Sequence, residues 1–325
     1  MKKRYWIGGI SASALALVAA KLWLRPRDVD WEANRESVFH AEYSRFTDVD
    51  GVRVHYQEAG RSDAPTIVLI HGFASSTLVW SKVLLELAAA GFRVIAPDLL
   101  GYGYSGKPRE LDYTIGSQAR MIVSLLRHLG IERAAIVGSS YGGAVAATIV
   151  LDNPGLVEKL VLVGAVTNNA PTRYLLMRLF GSPIIGDILS PLLLGSRRLL
   201  RARMKRVYDR HAWVLDERRV NARYLPLKTR GTHRAIIRTV RRWDADRVSR
   251  DAHLITLPTL VLWGDKDREV PLEDGQRLQE KLPNSRLLVF DECGHLPHEE
   301  YPEEFTKIVS EFLRDASVVP LRPNP

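Results

Sequence analysis

Ala134-Ala135-Ile136-Val137-Gly138-Ser139-Ser140-Tyr141-Gly142 is the stretch whose reading decides the fold. Residues 134–137 are a short apolar run of the kind found in buried strands, and residues 143–151 are a small-residue run suited to a closely packed helix. Between them a serine stands among small residues at a sharp strand–turn–helix junction, the context a nucleophile elbow requires. Such a turn lifts the central side chain out of the sheet. The helix start behind it presents backbone N–H groups and the positive end of a dipole. A serine held there meets substrate and lies beside a site for a developing oxyanion. The five-residue pattern is common by chance, so its weight comes from what surrounds it.

Two further strand-to-loop junctions follow in the order the chemistry needs. Thr259-Leu260-Val261-Leu262-Trp263 reads as a buried strand and runs into Gly264-Asp265-Lys266-Asp267-Arg268-Glu269-Val270-Pro271. Residues 285–290 form a second such run, leading into Asp291-Glu292-Cys293-Gly294-His295. Ser140, an aspartate after one strand and a histidine after the next give the chain order of serine hydrolases with a parallel sheet, not the chymotrypsin or subtilisin order. Serine is a weak nucleophile until an imidazole takes its proton, and the imidazole needs a carboxylate to fix its tautomer and stabilise the cation.

At 325 residues and 46% apolar, the chain can bury a substantial core. The motif order implies repeated strand–helix units and a mostly parallel sheet covered on both faces. Residues 44–49 and 52–57 around Asp50-Gly51 predict an opening hairpin. Helices are expected over 78–90, 115–129, 143–151, 272–281 and 302–315, with strands over 66–70, 92–96 and 160–165. Residues 317–325 carry three prolines and are expected to be disordered.

Several stretches together resemble the α/β-hydrolase superfamily, in the branch that carries a helical lid, over roughly residues 43–313. They are the elbow, His71-Gly72-Phe73 after the strand 66–70, Asp98-Leu99-Leu100-Gly101-Tyr102-Gly103-Tyr104-Ser105, and Gly294-His295-Leu296-Pro297-His298-Glu299-Glu300-Tyr301-Pro302. The resemblance implies an eight-stranded, mostly parallel sheet with helices on both faces and an inserted helical lid. It divides the chain into a core of 43–168 and 253–316 and a lid of 169–252. It also implies a catalytic set of Ser140, Asp267 and His295, with the backbone amides of Phe73 and Tyr141 as the oxyanion hole. Asp267 is preferred to Asp265 because relatives place the acid three residues past the glycine and four before the proline. The later-acid variant of the family finds no carboxylate in Val166-Thr167-Asn168-Asn169. His71 is expected to be a structural hydrogen-bonding group beneath the oxyanion loop.

Missing features narrow the chemistry. A serine at 140 excludes the aspartate nucleophile of dehalogenases and epoxide hydrolases. Phe73-Ala74 and Leu296 depart from the Gly-rich loop and the tryptophan of carbon–carbon bond hydrolases, and the iminopeptidase elbow is absent. The reading that survives is a serine esterase or lipase cleaving acyl esters, resembling monoacylglycerol-lipase-type enzymes. A cofactor-free perhydrolase and a ligand-binding receptor on a hydrolase scaffold are the alternatives. No cofactor, metal site or nucleic-acid partner is expected: no ligand spacing, phosphate loop or recognisable binding module occurs.

Charge is unevenly distributed. Residues 169–252 hold 20 Lys/Arg against 7 Asp/Glu, although the whole chain is only +9, so the remainder is net acidic. Arg197, Arg201 and Lys205 share one helical stripe, with Leu200, Met204, Val207 and Tyr208 on another. That stripe reads either as membrane-surface material or as a solvated face pairing with local carboxylates. At the N-terminus, Lys2-Lys3-Arg4 precedes the uncharged run 5–20, and apolar character resumes at Leu22-Trp23-Leu24. Residues 1–27 are therefore expected to be a single-pass membrane anchor followed by a linker over 28–42, with a cleaved signal peptide and an exported protein as the alternative. Cys293 is the only cysteine, so no intrachain disulfide forms.

Overall fold

The computed structural model describes residues 31–170, 175–208, 211, 214–229 and 231–315. Eight strands form one sheet: β1 (Ser44–Val49), β2 (Val52–Ala59), β3 (Thr66–Ile70), β4 (Arg93–Pro97), β5 (Ala134–Ser139), β6 (Val157–Val163), β7 (Thr259–Gly264) and β8 (Ser285–Phe290). Their spatial order is β1-β2-β4-β3-β5-β6-β7-β8. The first three strands in that order pair antiparallel and the rest pair parallel. The β1–β2 hairpin turns through Asp50 and Gly51, both at positive φ (53° and 76°), the twist that matches two-residue hairpins.

Alternation along the strands builds two cores. On β3, Ile67 and Leu69 face one layer, with Leu84 and Leu87 of α1 (Leu84–Ala89). Val68 and Ile70 face the other, with α2 (Ile115–His128) and α3 (Tyr141–Asp152). The first layer is completed by Phe305, Val309 and Phe312 of the C-terminal helix (Pro302–Arg314). Both faces are covered, so the central strands read as continuous apolar runs. Each fully buried side chain of this size contributes roughly 1.5–3 kcal/mol.

Among the described residues six α-helices lie between β6 and β7: α4 (Leu175–Gly181), α5 (Pro183–Leu194), α6 (Arg197–Val207), α7 (Glu217–Leu227), α8 (Thr232–Arg241) and α9 (Asp246–Asp251). Arg197 and Arg201 of α6 both pair with Glu217 at the start of α7, so two cations of the basic stripe have a local carboxylate. After β7 the chain continues through α10 (Leu272–Lys281), and after β8 through α11 (Pro297–Glu300) and α12 (Pro302–Arg314).

Two expectations are corrected here. Residues 78–90 do not form one helix: a 3-10 turn (Thr77–Trp80) precedes α1. Its first residue is drawn away, because the Thr77 N–H donates to the buried Asp98 carboxylate at 2.7 Å. The single-pass membrane anchor and the membrane-anchored localisation are overturned by the helices themselves. Among the described residues no helix is long and apolar enough to cross a membrane. The longest of them, α2, has 14 residues, about 21 Å at 1.5 Å per residue against a hydrocarbon core of about 30 Å. The run expected to be the anchor, like the tail 317–325, lies outside the described residues.

Candidate active site

The elbow comes from β5 running directly into α3. Ser140 sits between them at φ 56°, ψ −121°, a conformation costing roughly 1–3 kcal/mol in a residue with a Cβ. The surroundings enforce it. The Ser140 N–H donates to Val163 O at 2.9 Å, and Ser140 O accepts the N–H groups of Gly143 and Val166 at 2.9 and 3.0 Å. Gly142 lets the helix start approach the β3 end: a Cβ there would lie 2.3 Å from Ile70 O. The loop after β3 passes close as well, since a Cβ on Gly72 would lie 3.0 Å from Ser140 Cβ.

Asp267 and His295 are brought together from the ends of β7 and β8. His295 Nδ1 lies 2.7 Å from Asp267 Oδ2, and the Asp267 side chain is wholly buried. Asp267 Oδ1 accepts the N–H groups of Glu269 and Val270 at 2.8 and 2.9 Å, which aims the second oxygen at the ring. A carboxylate only accepts, so Nδ1 carries the proton and Nε2 presents its lone pair. Burial of the ring disfavours its cation. The Asp267 carboxylate, with Glu269 and Glu300 behind it, outweighs that and holds His295 above the usual 6.5.

Asp265 does something else. Its Oδ1 accepts the Cys293 N–H at 3.1 Å, and its Oδ2 pairs with Lys266 at 2.6 Å. It holds the loop that leads to His295 and not the ring.

Gly164, at the end of β6, joins the two halves of the site. It follows Val163, to which Ser140 is bonded, and a Cβ on it would lie 3.1 Å from His295 Nδ1 and 3.2 Å from Asp267 Oδ2. The three residues thus converge on one loop. No hydrogen bond joins Ser140 Oγ to His295 among the described residues. Such contacts often tighten only when substrate is bound.

No hydrogen bond among the described residues uses the backbone N–H of Phe73 or of Tyr141. Tyr141 opens α3 and therefore has no intrahelical acceptor. His71 supports the Phe73 loop from below. Its Nε2 accepts the Leu99 N–H at 3.0 Å, so Nδ1 donates to Gly72 O at 2.8 Å. Burial drives its pKa down despite nearby Asp98, which suits a neutral ring serving as a strut.

Sequence reasoning missed the aromatic wall. Trp243, between α8 and α9, stands 5.6 Å from the Phe73 ring and 5.2 Å from the Tyr141 ring, and Tyr102 closes on Phe73 at 6.3 Å. Tyr102 is fixed by a 2.8 Å hydrogen bond between its hydroxyl and Thr239 of α8. An isolated tryptophan in a basic segment gave no periodic signal that could have placed it.

Residues 67–308 match the family model for the alpha/beta hydrolase family. The chain belongs to that family. It is 31% identical over 274 residues to an uncharacterized hydrolase, YugF, of Bacillus subtilis, covering 83% of this chain and 97% of the relative. It is also 31% identical over 293 residues to a 2-hydroxy-6-oxononadienedioate/2-hydroxy-6-oxononatrienedioate hydrolase of Cupriavidus pinatubonensis, covering 87% of this chain and 99% of that one. Among solved structures it is similar to the esterase RhEst1 of Rhodococcus sp. ECU1013, at 27% identity and a TM-score of 0.69, covering 85% of this chain and 100% of that one. The eight-stranded fold and a hydrolase activity are what this alpha/beta hydrolase shares with its relatives.

Proposed function

We propose that this alpha/beta hydrolase cleaves carboxylic acyl esters through an acyl-enzyme formed on Ser140. The observation that carries the reading is the Asp267–His295 hydrogen bond, which leaves Nε2 as an acceptor; the positive-φ backbone of half-buried Ser140 agrees with it. In this reading Ser140 Oγ attacks the ester carbonyl while His295 Nε2 takes its proton. The backbone N–H groups of Phe73 and Tyr141 receive the oxyanion, and His295 returns the proton to the departing alkoxide. Water then repeats the sequence on the acyl-enzyme, releasing the acid and restoring Ser140. Half-buried Phe73 and Trp243, backed by the buried Tyr102 and Tyr141, suit an apolar acyl group, which makes monoacylglycerol-like esters reasonable substrates. The likeness to an esterase supports the same class.

The relative from Cupriavidus favours a second reading, hydrolysis of a hydroxy-oxo-dienedioate by the same residues. Parallel assays of p-nitrophenyl butyrate, a monoacylglycerol and 2-hydroxy-6-oxononadienedioate separate the two. Ester turnover should exceed dienedioate turnover, and Ser140→Ala should lower ester kcat by at least about 10³-fold. Ser140→Ala activity within tenfold of the parent defeats the nucleophile assignment. Preferred turnover of the dienedioate replaces the substrate class.

A further inference from the structure

Three consecutive backbone N–H groups carry the turn at His295, and all three are tied down. The His295 N–H itself donates to Val207 O at 3.0 Å, at the end of α6 in the insertion. The N–H groups on either side, of Gly294 and Leu296, both donate to one carboxylate. Glu300 Oε2 accepts the first at 2.9 Å and Oε1 the second at 3.2 Å. The Glu300 side chain is wholly buried, and its outer side meets another residue of the insertion, His211, whose Nδ1 lies 3.0 Å from Oε2. A fully buried carboxylate is costly unless its lone pairs are filled. Here the acceptors are filled by the backbone that presents His295.

We propose that Glu300 is a positioning residue for hydrolysis: its carboxylate brackets the peptide of His295 and fixes where the imidazole stands, with His211 and Val207 of the insertion closing the bracket. The inference rests on the reading of His295 as the base. Its neighbour Glu299 has a separate task. Its carboxylate is clamped by Arg219 and Arg223 of α7 and by the Tyr208 hydroxyl, binding the insertion to α11. The Glu299 N–H donates to Leu296 O at 2.8 Å, but its carboxylate meets neither flanking N–H, so among the described residues the side-chain bracketing belongs to Glu300.

The bracket also places charge. The carboxylates facing the His295 ring are Asp267 and Glu269 from the β7 loop and Glu300 from α11, while Arg219 and Arg223 are taken up by Glu299 and His211 faces Glu300. Removing the Glu300 charge therefore removes one support of the imidazolium. Glu300→Gln keeps the size but turns an amide N–H₂ toward one of the two N–H donors, so the bracket opens on one side. Glu300→Asp keeps the charge but shortens the reach.

The test compares kcat, KM and the pH profile of kcat/KM for p-nitrophenyl butyrate in the full chain and in these two variants, with Ser140→Ala and His295→Ala alongside. Glu300→Gln should lose about tenfold to a hundredfold in kcat with KM within twofold, because a small displacement of the base slows only the chemistry. Its acid limb should also move to lower pH. Glu300→Asp should lose kcat with the acid limb unmoved. Parental kcat in Glu300→Gln, or a loss of kcat with the acid limb in place, overturns the inference. If Glu300→Gln does not fold, as read from its melting transition, Glu300→Asp decides. A lower kcat at constant KM then supports the bracket and parental kcat removes it. Activity surviving in Ser140→Ala and His295→Ala would instead defeat the serine-hydrolase reading, whatever the Glu300 variants do.

Discussion

Two aspartates two positions apart, one with a wholly buried side chain and one partly exposed, have different partners. Asp267 Oδ2 meets the ring, whereas Asp265 is bonded to Cys293 N–H and Lys266. Replacing Asp267 with Asn should therefore lower kcat by about 10³–10⁴-fold by losing the correct tautomer, and Asp265→Asn should cost far less. Steady-state kinetics of the pair on one ester check this, and the reverse ranking would reassign the acid. The pH dependence follows from the same hydrogen bond. A base must be neutral to accept the Ser140 proton, and Asp267 keeps the imidazole protonated above its usual range. Activity should thus fall as pH drops through a value above 6.5, and losing Asp267 should move that limb downward. That Ser140, Asp267 and His295 follow three apolar strands in this chain order was legible in the sequence, and so was the strand behind each. Glu300 stands in the same loop but stayed unread, because nothing in its spacing says that a carboxylate folds back onto the backbone N–H groups four and six positions earlier.

At the scale of elements, strands were easier to read than the helical segment after β3. β3 and β8 fall on the expected residues: β3 is buried from Ile67 to Ile70, and β8, though a half-buried edge strand, carries the apolar run Leu287 to Phe290 between a Pro-Asn turn and an acidic loop. The segment after β3 was misread because a long-range bond competes with helix propensity there. Asp98, at the end of β4, takes the Thr77 N–H on one oxygen and the Tyr104 N–H and His55 Nδ1 on the other, at 2.7, 2.8 and 2.6 Å. Burial alone would raise this carboxyl. His55, with the His71 ring and the Tyr104 N–H, holds it down to about 2. A depressed folded value stabilises above the unfolded value of 3.8, and that contribution is lost as pH falls from there through about 2. Asp98→Asn should cost about 3–5 kcal/mol near neutrality, since one partner of a buried pair is removed, and should flatten this acid transition. Urea titrations across pH measure both, and an unchanged acid slope in the variant would remove Asp98 as its cause. Trp243 belongs to the same scale, reaching the Phe73–Tyr141 wall from the end of α8. Trp243→Ala should lower kcat/KM for hexanoyl esters about tenfold while sparing acetyl esters, whose acyl group is too short to use the wall. Equal losses on both would show that the indole supports the fold and not the acyl group.

Across the whole molecule, charge and hydrophobicity are sorted into different parts. The sheet and its two apolar layers come from the net acidic portion, whereas the cations gather in the insertion. That insertion lies against the site at two places, through Trp243 at the Phe73 wall and through Val207 at the His295 loop. Composition showed where the positive charge sits along the chain, but its partners are set by tertiary packing. Arg197 and Arg201 close on Glu217, Arg219 and Arg223 on Glu299, and Arg247 on Asp152 across to α3. These pairs do not neutralise the segment, and Lys205 and Arg206 stand exposed on α6. A basic surface near a site raises the local concentration of anions, and salt screens the effect over about 8–10 Å. An ester carrying a carboxylate on its acyl group should therefore show kcat/KM falling several-fold between about 20 and 500 mM NaCl, and its neutral isostere should stay within about twofold. The difference should appear in kcat/KM and fade at saturating substrate, because steering acts on encounter and not on chemistry. Parallel salt curves for the two esters would show that the cations of the insertion are fully occupied by the protein's own carboxylates and exert no field on the site.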